Sequence, residues 1–284
     1  MSGKQTDERR GAPGQEVTCE IVDQIAVLTL NRPHRNNAWN GKMHMAYRAQ
    51  LLAADEDPSV RAILVTGEGR AFCVGGDAKA LEGHVEKGGY DPGTTADIAM
   101  PGYGRAPEFD APFAYQMGLR KPIVAAMNGP AAGVGLALAA FTDLRFAVPG
   151  VKFTTAHGKL NLPAEYGLSW VLPRIMGLGR ANDILLTSRV FLSDEAYQLG
   201  FVNSLFPRER LVAESLDYLR RMLATVSPNA LRQTRWQTYA DLHQSAAAAV
   251  TRSEALINEM MREHDYAEGV AAFVEKRPPN WGPE

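Results

Sequence analysis

Residues 121–145, KPIVAAMNGPAAGVGLALAAFTDLR, decide how this chain is read. An apolar segment from Ile123 to Met127 enters a glycine turn, Asn128-Gly129-Pro130-Ala131-Ala132-Gly133-Val134-Gly135. A small-residue helix follows, then a second apolar segment from Leu144. This reads strand, glycine turn, helix, strand. A related passage lies upstream, where Ala71-Phe72-Cys73-Val74-Gly75-Gly76-Asp77 reads as strand, glycine turn and the start of a helix. A helix that begins after such a turn exposes free backbone N–H groups at the positive end of its dipole. Each turn can therefore face a negative oxygen or a phosphate.

The second turn is not G-x-G-x-x-G, and no Lys-Ser or Lys-Thr follows it, so neither a dinucleotide fingerprint nor a P-loop is present. Two readings remain at this level. The glycines can serve only close helix–strand packing. Alternatively, one N–H from each turn converges on a single oxygen, forming an oxyanion hole for an enolate or tetrahedral intermediate.

Outward from these turns, 20–33 reads as strands ended by Asn31-Arg32-Pro33, 43–57 as a helix, and 60–67 as a short apolar strand. Residues 83–112 are rich in glycine and proline with weak periodicity, and read as one long irregular stretch. Residues 151–167 read as a short strand and loop, three helices follow, and 201–207 reads as the last strand. From Arg208 onward the chain reads as helical throughout. The expected organisation is a disordered tail over 1–16, an α/β core over 17–207 and a helical module over 208–284.

The 284 residues are 45% apolar and 22% charged, which is ordinary for a globular protein with a large core. A net charge of -2 gives no sign of a nucleic-acid or anionic-membrane partner. No apolar run is long enough to cross a bilayer. The N-terminus lacks a secretory h-region and carries acids, so the chain is expected to be cytoplasmic. Cys19 and Cys73 form neither a disulfide framework nor a metal-ligand spacing, and no metal is expected.

The string of motifs resembles the crotonase superfamily, the enoyl-CoA hydratase/isomerase fold, from Val17 to Lys276. The matching pieces are Asn31-Arg32-Pro33, the 71–77 turn, 121–130, Gly133-Val134-Gly135, Thr142-Asp143-Leu144-Arg145, Gly200-Phe201-Val202-Asn203 and the closing Phe273-Val274-Glu275-Lys276-Arg277. The resemblance implies an α/β spiral of ββα units with a C-terminal helical trimerisation module, assembled as a homotrimer or a hexamer. It implies an acyl-CoA thioester substrate and no separate cofactor, since coenzyme A is part of the substrate. It places the two oxyanion N–H groups at Gly76 and Val134. It places CoA contacts at Ala38, Lys79 and Leu81, and a closing pair at Phe273 and Lys276.

The resemblance also sets an expectation that this chain breaks. Hydratases of this kind split water between two glutamates, six residues before and fourteen after the position of Asp143. Here those positions hold Ala137 and His157, and alanine can neither orient nor deprotonate water. Instead, Leu160 and Glu165 reproduce the five-residue interval that resembles the 3,2-enoyl-CoA isomerases and epoxyphenylacetyl-CoA isomerases. Glu165 is then the expected base of a double-bond isomerisation. The alternatives are a hydratase or lyase whose water is held by His157 and Glu165, and an acyl-CoA binder without activity. The acyl group and its pathway (fatty-acid, aromatic or steroid degradation) stay open.

Other residues have plainer readings. His157 fits a structural hydrogen-bonder as well as a catalytic group. Cys73 fits a buried strand cysteine rather than a nucleophile. Asp77 fits a helix cap. Lys276 and Arg277 fit a solvated tail as well as a CoA contact, and Trp39 fits core packing as well as the acyl path. Glu108 and Asp110 are minor acid–base candidates.

Overall fold

A computed structural model describes residues 15–89, 93–94 and 101–282. Most of the tail expected over 1–16, and part of the irregular stretch over 83–112, lie outside the described residues.

The chain begins with a hairpin of β1 (Val17–Val22) and β2 (Ile25–Leu30). Its two-residue turn, Asp23-Gln24, has φ of 48° and 67°, the left-handed pair that matches strand twist in a tight hairpin. Helix α1 (Gly41–Glu56) crosses to β3 (Ala62–Gly67), and α2 (Ala78–Lys87) follows. Then come β4 (Ile123–Met127), β5 (Ala131–Ala132), α3 (Val134–Ala140), β6 (Leu144–Ala147) and β7 (Lys152–Thr154). Helices α4 (Leu168–Met176) and α5 (Leu178–Thr187) lead to β8 (Phe191–Leu192), α6 (Ser193–Gln198) and β9 (Ser204–Leu205). Four helices close the chain: α7 (Leu211–Thr225), α8 (Pro228–Ala240), α9 (Ala246–Met260) and α10 (His264–Glu275).

The larger sheet has the order β1-β2-β3-β4-β6-β9, and the smaller has the order β5-β7-β8. Apart from the β1–β2 hairpin, every pairing in the larger sheet is parallel. Parallel strands are covered on both faces and read as continuous apolar runs. β3 and β4 fit, since every residue in both is buried. Helix α3 is also buried on all sides, as expected of a helix that is apolar all round. No helix among the described residues is long and apolar enough to cross a membrane.

The last helices are tied back by a buried charge cluster. The Arg235 guanidinium, on α8, donates to both oxygens of Asp143 at 2.9 and 2.7 Å and to the carbonyls of Met117 and Leu119 at 2.9 and 2.6 Å. Asp143 also accepts from the Ile123 N–H at 2.7 Å and from Tyr239. Its place in the Thr142-Asp143-Leu144-Arg145 motif is thus structural. So is that of Arg145, whose guanidinium donates to the carbonyls of Phe201 and Thr142 at 2.6 Å each.

Three readings of the chain need correction. The irregular stretch does not begin at Gly83, because α2 continues to Lys87. That helix buries none of its residues, and its short apolar face, Leu81 and Val85, lines a cavity rather than the core. The 71–77 segment is not a ladder strand, and pairs only through isolated bridges at Cys73 and Gly76. The last strand is only Ser204–Leu205.

Candidate active site

The first glycine turn is held by the residues that precede α1. The Trp39 N–H donates to the Gly75 carbonyl at 2.7 Å, and the Asp77 N–H donates to the Trp39 carbonyl at 2.8 Å. Backbone groups alternate sides along an extended segment. With Gly75 and Asp77 turned toward Trp39, the Gly76 N–H faces away from it. Arg32 secures the arrangement through an ion pair with Asp77 at 2.8 Å and a bond to the Ala38 carbonyl. Asp77 also caps α2 by accepting from the Lys79 N–H at 3.1 Å.

The second turn runs beside the first. The Ala132 N–H donates to the Cys73 carbonyl at 3.0 Å, and the Gly133 N–H donates to the Thr154 carbonyl at 3.1 Å. Gly133 has φ 48° and ψ -118°, a conformation that a Cβ disfavours. Val134 opens α3, so its N–H has no carbonyl partner within the helix. Gly135 lets this turn seat against the first one. A Cβ there would lie 2.2 Å from the Cys73 carbonyl oxygen.

Glu165 closes the site. It starts a short 3-10 turn, Glu165–Gly167, in which Tyr166 and Gly167 have φ of 49° and 76°. One carboxylate oxygen lies 3.5 Å from where a side chain at Gly133 would place its Cβ, and that same point lies 4.0 Å from the Cα of Gly75. The acid and both turns therefore meet at one place. They line a cavity of about 450 Å³ together with Leu81, His84 and His157, a size that suits a small organic group. Burial raises the Glu165 pKa above the ordinary carboxylate value, and the charge of His84 pulls it partly back. Glu165 is the one carboxylate among the described residues lining this cavity.

His157 is buried, and its Nδ1 has no hydrogen-bond partner among the described residues. Ala137 is fully buried within α3 and is not part of the cavity wall. Ala38 is buried and Lys79 is exposed at the start of α2, and neither is part of the cavity wall. Trp39 belongs both to the core and to the cavity wall. Phe273 is 85% exposed at the end of α10, and neither it nor Lys276 reaches this cavity within the chain. Arg277 is engaged by Glu268 and Glu275. Cys73 is fully buried with its thiol pushed up to about 12, largely by burial, so it is no nucleophile at neutral pH. Asp110 accepts from the Gly104 N–H at 2.7 Å, and Glu108 lines a different cavity.

His84 and His44 are site residues that the sequence reading missed. His84 shares a face of α2 with Ala80, Leu81 and Val85, and all four line the cavity. That i, i+3, i+4 spacing was the available signal. His44 lines the cavity from α1 and stacks on Phe113 at 5.7 Å, with its pKa pushed down to about 4 by burial and by the Arg48 charge.

A profile of the family described as Enoyl-CoA hydratase/isomerase matches residues 20–284. The chain is 32% identical over 277 residues to the 1,2-epoxyphenylacetyl-CoA isomerase of Escherichia coli (strain K12), covering 93% of this chain and 97% of that protein. It is 33% identical over 263 residues to a probable enoyl-CoA hydratase of Mycobacterium tuberculosis (strain ATCC 25618 / H37Rv), covering 90% of this chain and 88% of that one. Among solved structures, a probable enoyl-CoA hydratase/isomerase from Mycobacterium abscessus superposes with a TM-score of 0.82 at 28% identity, covering 95% of this chain and 99% of that chain. The α/β crotonase fold, with mixed sheets and C-terminal helices, agrees with the architecture described above.

Proposed function

The chain belongs to the enoyl-CoA hydratase/isomerase family, and on that premise we propose that it isomerises an enoyl-CoA, with Glu165 as its acid–base residue. One observation carries this reading. Among the described residues a single half-buried carboxylate stands beside the two glycine turns, while the position of a hydratase's first glutamate is the buried Ala137. A relative whose name is that of an acyl-CoA isomerase points the same way.

The reaction needs one base and one anion site. Glu165 takes a proton from C2 of a 3-enoyl-CoA, and the C–H electron pair moves toward the thioester oxygen. The resulting dienolate oxygen accepts from the N–H groups of Gly76 and Val134, since backbone donors held in fixed turns stabilise charge as it develops. Protonated Glu165 then returns its proton at C4, the carbonyl reforms, and the double bond lies between C2 and C3. A carboxylate whose pKa is raised by burial suits this work, because the best shuttle sits nearer the working pH.

His157 favours a second reading, since its buried ring shares the cavity and its Nδ1 has no partner among the described residues. In that reading His157 and Glu165 hold a water, and a 2-enoyl-CoA gains it. Exposed apolar side chains on α9 and α10, among them Ile257, Val270 and Phe273, support self-association into a trimer or hexamer.

The test is matched 3-enoyl- and 2-enoyl-CoA given to the wild type and to Glu165→Gln, followed by mass spectrometry and NMR. The expected outcome is a double-bond shift without mass change, falling by about 10²- to 10⁴-fold in the variant. An unchanged rate in Glu165→Gln refutes the assignment. Gain of one water on the 2-enoyl substrate supports the His157 reading instead.

A further inference from the structure

A second cavity lies directly behind the candidate active site. Its volume is about 390 Å³, and its walls include Pro112, Ala114, Met117, Phe141, Trp170 and His243. Tyr166 lines both this cavity and the one that holds Glu165. The residue next to the base is therefore the partition between two chambers.

The partition is held in an unusual way. Tyr166 has φ 49°, and Phe113, whose ring meets it edge-on at 5.2 Å, has φ 64°. Two bulky residues in left-handed backbone are costly, and such strain persists where the surroundings impose it. Phe113 is itself fixed by stacking on His44 and by contact with Trp39 at 5.5 Å. Beyond the partition the surface is mostly apolar. The rings of Phe141 and Trp170 lie parallel, as do those of Trp170 and His243. Gly167 keeps this chamber open beside the partition, since a Cβ there would come within 3.1 Å of the Phe141 ring.

We infer that the second cavity is the distal acyl subsite and that Tyr166 is the specificity-determining residue between it and the reacting carbons. Its ligand is the far, apolar end of a medium- or long-chain acyl group whose thioester lies at Gly76 and Val134. This rests on the acyl-CoA reading of the first cavity. Continuity is the argument for the occupant: a chain anchored at the glycine turns and passing Glu165 meets Tyr166 next, and the space behind it is lined mainly by hydrocarbon and aromatic surface, with Glu108 the one carboxylate among the described residues on its wall. Each methylene buried there is worth about fourfold in kcat/KM.

The test compares four-carbon and ten-carbon 3-enoyl-CoA substrates on the wild type and on Ala114→Leu, which narrows the second cavity without touching the first. Isothermal calorimetry with the matching saturated acyl-CoA esters runs alongside. The wild type is expected to prefer the longer substrate by at least about tenfold. Ala114→Leu is expected to lose most of that preference, with the short substrate reporting that the variant folds and turns over. Tyr166→Phe, which keeps the ring, is expected to retain the preference, whereas Tyr166→Ala alters it. A wild type that handles both lengths equally overturns the inference and leaves the acyl-CoA reading standing, as does an Ala114→Leu protein with an undiminished preference. Absence of binding for either ester overturns both.

Discussion

Replacing Gly135 with alanine tests the oxyanion geometry without touching a polar group. A Cβ at this position would lie 2.2 Å from the Cys73 carbonyl oxygen and 2.7 Å from the Cys73 Cβ. Cys73 is fully buried, and its backbone is bonded to Pro130 and Ala132, so it has little freedom to retreat. The start of α3 must instead move away by about 1 Å, carrying the Val134 N–H with it, and a shift of that size in a catalytic group costs about 10²-fold. Stability should suffer less. Overpacking costs about 1–3 kcal/mol, and alanine in place of glycine in a helix returns about 1 kcal/mol. The expected protein is folded, mildly destabilised, and slower in kcat by about 10²-fold. Gly179→Ala is the control, because a Cβ there meets nothing within 4 Å and the residue lies within α5. It should leave the rate alone and raise stability by about 0.5–1 kcal/mol. Steady-state kinetics on an enoyl-CoA, with urea unfolding of both variants, decides the matter. A Gly135→Ala enzyme with the wild-type kcat would refute the claim that the two turns act together through this contact.

Other perturbations probe separate links. His84→Ala removes a charge that favours ionised Glu165, so the acid limb of the rate–pH profile should move to higher pH; a limb that stays or moves down contradicts the pairing. His44 has its pKa pushed down from 6.5 to about 4, so its folded state prefers the neutral ring. The stability this supplies is complete above pH 6.5 and declines as pH falls toward 4, by about 3 kcal/mol. His44→Phe keeps a ring on Phe113 and should show a shallower acid decline in urea unfolding at neutral pH and near pH 4. Arg235→Met strands the Asp143 carboxylate and several carbonyls in the interior, and should cost about 3–5 kcal/mol by chemical denaturation, whatever the substrate.

Much of the candidate site could be read from the chain because the donors proposed for it are backbone groups. A backbone N–H at the start of a helix needs only a glycine turn and a helix after it, and both are local in sequence. The two turns carrying Gly76 and Val134 were visible in the motifs for this reason, as were the buried Cys73 and the capping Asp77. The α/β class followed for the same reason, since alternating strand and helix patterns are local signals. Glu165 was singled out by its interval from Leu160, but its meaning depended on a neighbour no interval reveals. Only folding sets its carboxylate 3.5 Å from the Cβ position of Gly133.

The tertiary structure decided what depends on elements distant in sequence. The charge of His84 acts on Glu165 although eighty-one residues separate them. Helix α2, which carries His84, buries none of its own residues; its apolar face lines the cavity rather than the core, so its short pattern was easily taken for loop. Tyr166 borders two chambers, and Phe113, fifty-three residues earlier in the chain, braces its ring. Arg235 and Asp143 form one buried pair across ninety-two residues of chain. Backbone turns and burial patterns are properties of neighbouring residues, and sequence alone determined them here. The shape of the cavity, the field on its carboxylate and the reach of its acyl end come from side chains that meet only after the sheets and helices have packed.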